Sequence, residues 1–204
     1  MHEEEHLLEA LARRAARYLP AADWAGIPVA MERRTLTLLY VDRPDATPVA
    51  ECATLDLQLE WLAARHHGIR DRFAPDGALV FFDDAVEAMR MALALQRHSG
   101  PVRLRMGLAT ASCQLAGFSH AGEAYVTLLG AEDELAARVA SAATGGSILI
   151  SPSTYTLVRD AVHADSRDCL LAEELDTMQQ PLASITRPPQ RGGMESSTFA
   201  GLGS

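Results

Sequence analysis

Residues 3–18 place Leu7, Leu8, Leu11 and Ala15 on one face at helical spacing, with charges elsewhere, and so predict an amphipathic helix. Such a helix either packs on its own domain or acts as a dimer-forming or signal-relaying element. Residues 35–42, TLTLLYVD, are almost continuously apolar or threonine and predict a buried strand that runs into an acidic turn. Leu55, Leu57, Leu59 and Leu62 have helical spacing within 53–67, and Gly68 stops that segment. IRDRFAPDGALVFFDD reads as two short strands around a Pro-Asp-Gly turn. A helix follows over 84–98, DAVEAMRMALALQRH, ended by Ser-Gly-Pro. Over 102–111, Val102, Leu104 and Met106 alternate with Arg103 and Arg105, the pattern of a half-buried strand.

The order β-α-β-β-α-β predicts an α+β fold with a ferredoxin-like core, two helices covering one face of an antiparallel sheet. A C-terminal α/β extension follows: a strand near 123–128, a helix over 131–143 closed by Gly145-Gly146, and a strand at 147–150. A short helix then begins SPSTYTLV, and a last hairpin is expected over 170–187. The chain divides into an N-terminal amphipathic helix (1–20), a globular domain (21–187) and a tail (188–204), PPQRGGMESSTFAGLGS, whose composition predicts disorder.

Composition narrows the function classes. At 204 residues with 48% hydrophobic content, the chain can bury one proper core. No run approaches the roughly 18 apolar residues of a membrane span. The N-terminus is acidic where a signal peptide would be basic, which points to a helix of the mature protein. Cys52, Cys113 and Cys169 form no close pair, so neither a zinc site nor a disulfide framework is expected, and a cytoplasmic location is. The formal net charge of −9 argues against general nucleic-acid binding. All 18 basic residues are arginine, so any role that requires lysine is missing or filled by a non-equivalent group.

Asp42, at the end of the first strand, is costly there unless something offsets its charge. Asp76 lies in the hairpin turn. With these carboxylates placed, four segments in order resemble the catalytic domain of class III nucleotide cyclases over roughly residues 17–187. LTLLYVDRPDAT stands where that family has a strand, a metal-binding aspartate and a Gly-Phe-Thr turn. RFAPDGALVFFDDAVEAMRMALALQ is similar to its Lys-Thr-Ile-Gly-Asp-Gly hairpin and the helix after it. VRLRMGLATASCQLAG resembles its arginine-rich strand ahead of a glycine. GAEDELAARVASAATGGSILISPSTYTLV is similar to its Gly-x-x-Val-Asn-x-Ala-Ala-Arg helix and following strand.

The resemblance implies attack of a ribose hydroxyl on the alpha-phosphate of a nucleoside triphosphate, with Asp42 and Asp76 holding magnesium or manganese. Asp76 has a plainer reading as a turn residue, since Pro-Asp-Gly favours aspartate for local hydrogen bonding. The turn expected to present amides to the triphosphate reads Arg43-Pro44-Asp45-Ala46-Thr47. Pro44 has no amide hydrogen, Asp45 brings a like charge, and Arg43 compensates in part. Arg72 and Thr127 match the base-recognition positions, although Arg72 also reads as a surface arginine on a hairpin. Arg138 matches the arginine that stabilises transition-state charge, whereas Glu134 replaces the asparagine that orients the ribose. Glu134 and Arg138 also have the i,i+4 spacing of an ordinary surface ion pair. His66 and His67, adjacent at a helix end, point in different directions and are not expected to bind metal.

These departures favour a degenerate cyclase-homology domain acting as a regulatory or protein-interaction module. A working cyclase that uses two metals is the alternative, and an unrelated ferredoxin-like binding protein is the third class. The resemblance further implies a homodimer, because the family builds its sites between two subunits.

Overall fold

The computed structural model describes residues 2–19, 22, 24–44, 47–74, 77–164, 171–177 and 180–186. The expected tail (188–204) lies outside the described residues. The described residues form five α-helices and eight strands: α1 (His2–Ala15), β1 (Val29–Asp42), α2 (Val49–Arg65), β2 (Ile69–Asp71), β3 (Ala78–Phe82), α3 (Ala85–His98), β4 (Arg105–His120), β5 (Glu123–Leu128), α4 (Glu132–Ala142), β6 (Ile148–Ile150), α5 (Pro152–Ala164), β7 (Leu171–Thr177) and β8 (Gln180–Thr186).

The strands form one sheet in the order β2-β3-β1-β4-β6-β8-β7, with β5 paired to β4. Its first four strands reproduce the ferredoxin-like order, with β3 and β4 antiparallel on either side of β1. β6 then adds parallel to β4, and the β7–β8 hairpin extends that edge.

The sheet is covered on both faces. On one side Leu39, Val41, Met106 and Leu108 pack with Leu59 and Leu62 of α2, Met91 and Leu95 of α3, and Val158 of α5. On the other, Leu36, Leu38, Phe81 and Leu149 meet Ala136, Val139 and Ala140 of α4. Alternate side chains of one strand therefore enter different cores, so residues 36–41 are buried without a break and read as a continuous apolar run. α4 lies close to the sheet because β4 carries Gly107 there; a Cβ at that position would collide with the backbone of Ala136 and Ala140.

Two strands are longer than their apolar patterns suggest. β1 begins at Val29 and β4 runs to His120, and their distal halves pair from Val29↔Phe118 to Arg34↔Cys113. Over Val29–Arg34 the exposed positions carry Ala30, Glu32 and Arg33, so this arm lacks the run that marks the buried half. A third core forms at its base, where Leu11 and Ala15 of α1 meet Phe73, Ala116 and Phe118. Thus α1 packs on its own domain. α3 is capped by Asp84, whose side chain accepts from the Val86 amide.

Candidate functional site

Asp42 ends β1 directly opposite Arg105 of β4, and the two side chains form an ion pair. The register of the central hairpin dictates this partner: Arg105 stands on the neighbouring strand where the carboxylate emerges, and it offsets the charge. Asp76, like Asp45 and Ala46, lies outside the described residues. Among the described residues, no group of three or more histidine, cysteine, aspartate or glutamate side chains is arranged to hold a metal ion. Asp42 alone contributes a hard oxygen donor at the expected place, and its arginine partner competes with any cation. Of the two expected metal ligands, the described residues place Asp42, and they place it in an ion pair.

Beside this strand end, a cavity of about 360 Å³ opens between the β1–α2 connection, α2 and the β2–β3 hairpin. Arg43, Arg70 and Arg72 line it, against Asp56, Glu60 and Asp71. Arg70 is the most heavily engaged, donating to Asp56 at 2.9 Å and Glu60 at 3.0 Å. Arg43 lies 3.6 Å from Asp56, and Arg72 makes an exposed pair with Glu123 of β5 at 3.4 Å. The fold thus brings together two arginines singled out in the sequence, Arg43 and Arg72, and adds Arg70. Opposing carboxylates neutralise much of their charge.

Thr127 is buried below this wall. Its hydroxyl donates to Asp71 at 2.8 Å and accepts from Nε of Arg14 at 2.9 Å. Arg14, carried by α1, also donates to Asp71 at 3.0 Å and to Asp133, in the first turn of α4, at 2.6 Å. Asp71 further accepts from the amides of Phe73 at 2.8 Å and Leu128 at 3.2 Å. Burial works to lower the Arg14 pKa, but the two carboxylates outweigh it and hold the value above that of free arginine. Sequence reasoning did not single out Arg14, Asp71 or Asp133, because each looks like an ordinary surface charge until the fold brings them together. A polar residue at the inner edge of the α1 apolar stripe was the one available signal.

Glu134 and Arg138 sit on exposed positions of α4 and do not line the cavity. Their side chains are not paired with one another, so the i,i+4 ion pair does not form. His66 bridges two helices, with Nδ1 2.8 Å from Glu87 of α3. The thiol of Cys113, inside β4, is pushed up to about 11, first by burial and then by the nearby Glu132 carboxylate.

No protein-family model matches the sequence, and no curated protein matches it. Solved structures do. The adenylyl cyclase CyaB from P. aeruginosa superposes with a TM-score of 0.58 at 25% identity, covering 79% of this chain and 97% of that one. The guanylate cyclase domain of RhGC from Catenaria anguillulae, solved in complex with GTP, gives 0.59 at 18% identity over 76% and 98%. A dimeric guanylyl cyclase domain of the RhoGC fusion protein from the aquatic fungus Blastocladiella emersonii gives 0.61 at 18% identity over 78% and 98%. This chain thus has the fold of the class III adenylyl and guanylyl cyclase catalytic domains.

Proposed function

We propose that this chain is a degenerate cyclase-homology domain that works as a regulatory or protein-interaction module, as a homodimer, with at most weak binding of nucleoside triphosphate and of magnesium or manganese. The observation that carries this reading is the ion pair between Asp42 and Arg105. In the resemblance, Asp42 is the first metal ligand, and a ligand already neutralised by a guanidinium loses most of its advantage for a hydrated divalent cation. Glu134 acts in the same direction, since a carboxylate near a polyphosphate costs on the order of 1–4 kcal/mol even in a well-screened site.

The test is direct assay of the purified chain with ATP, GTP, CTP and UTP in magnesium or manganese. The expected result is little or no cyclic nucleotide. Robust production that Asp42→Ala abolishes would overturn the proposal. One observation favours the second reading, a working cyclase: Arg138 is exposed and makes no side-chain pair among the described residues, as a residue that meets a phosphoryl group would need.

A further inference from the structure

Apart from the Tyr18 and Leu19 amides, which donate to the Ala15 carbonyl in the turn that ends the helix, no backbone hydrogen bond joins α1 to the rest of the fold among the described residues. Among its described contacts, Leu11 and Ala15 are fully buried, and the side chain of Arg14 is held by hydrogen bonds. That guanidinium is 15% exposed and faces a carboxylate, Asp71, whose side chain is 0% exposed. With one fork it engages the end of β2 through Asp71, β5 through Thr127 and the start of α4 through Asp133. Just past the helix, the Tyr18 hydroxyl donates to the Ala74 carbonyl at 3.2 Å, the ring packs edge-on against Phe73, and Tyr18 forms part of the cavity wall.

We propose that α1 is a releasable latch locked by Arg14, whose departure unseats Asp71 and Thr127 and opens the Tyr18 wall of the arginine-lined cavity. Two features make it a latch and not a fixed part of the core. α1 is seated by two fully buried apolar residues, Leu11 and Ala15, and by a buried ion pair, which adds orientation more than stability and leaves an uncompensated charge when one partner goes. The state of α1 is also passed on to defined groups. Asp71 accepts from the Thr127 hydroxyl and the Phe73 and Leu128 amides as well as from Arg14, so withdrawing the guanidinium leaves the carboxylate that ties the β2–β3 hairpin to β5 without its countercharge and weakens that tie. A helix with Glu9 and Arg13 on its outer face can then transmit an input from the N-terminal side to the cavity.

The latch rests on the regulatory reading for its purpose only. Turnover assays decide that reading, and hydrogen exchange on the full chain decides the latch, whichever way turnover falls. In the unmodified protein, amides of residues 5–15 are expected to exchange about 100-fold faster than those of Leu38, Leu39 and Leu108, with the Phe73 and Leu128 amides following α1. Arg14→Lys keeps the charge but cannot span the three acceptors. It should speed this group about tenfold and leave the β1 and β4 amides unchanged. The inference is overturned if α1 exchanges only together with the core, if Phe73 and Leu128 stay as slow as the core while α1 opens, or if Arg14→Lys changes all amides equally.

Discussion

A charged side chain at the edge of a core needs a defined partner, and in this molecule register and helix packing supply it. Arg105 meets Asp42 across the β1–β4 ladder, and His66 meets Glu87 between α2 and α3. The His66 hydrogen bond, aided by Arg90 and opposed by partial burial, holds Glu87 below the usual carboxylate value of 4.5. Because the folded value is depressed, this contribution is fully present above the unfolded pKa and is lost as pH falls through the folded one. Glu87→Gln should therefore cost about 0.5 kcal/mol near neutral pH, discounted for partial exposure. The difference from the unmodified protein should shrink once pH drops below 4.5. Thermal unfolding of both proteins across that range checks it, and a difference that grows on acidification would refute the assignment.

Among the elements, the β4–β5 hairpin closes through a short turn. His120 pairs with Glu123, which leaves a two-residue loop of Ala121 (φ 52°) and Gly122 (φ 84°). Positive φ at both positions marks the type I′ geometry that suits the strand twist, and alanine at the first is strained there. Ala121→Asn keeps the geometry, relieves that strain and should raise stability by about 0.5–1 kcal/mol in denaturant unfolding. A loss of stability would mean that the turn differs. β5 carries Thr127 and Glu123, the partners of Arg14 and Arg72, so this turn fixes the register behind both contacts.

For the molecule as a whole, Arg43 and Arg72 lie at the cavity while Glu134 and Arg138 stand apart on α4. The proposed homodimer would bring the two sets together across its interface, as the resemblance implies. The homodimer we propose cannot rely on the α1 stripe as a free surface, because Leu11 and Ala15 are already buried in their own domain. Sedimentation at about tens of micromolar should show a species of twice the chain mass, and a monomer throughout would refute the dimer and with it a shared site.

The sequence by itself determined the order of elements and the ferredoxin-like core, because buried strands and amphipathic helices leave periods that one chain can display. TLTLLYVD, DAVEAMRMALALQRH and the Pro-Asp-Gly turn announced β1, α3 and the β2–β3 hairpin, and the motif resemblance anticipated the cyclase fold. The first half of β1 stayed hidden because a strand in a solvated arm carries no apolar run. Tertiary structure alone decided who partners whom. Asp42 meets Arg105 through strand register, Thr127 is closed over by a guanidinium 113 residues earlier in the chain, and Arg14, Asp71 and Asp133 become one cluster. Charge pairing depends on distance in space, and no local period in a sequence encodes a contact between a helix, a strand end and another helix's first turn.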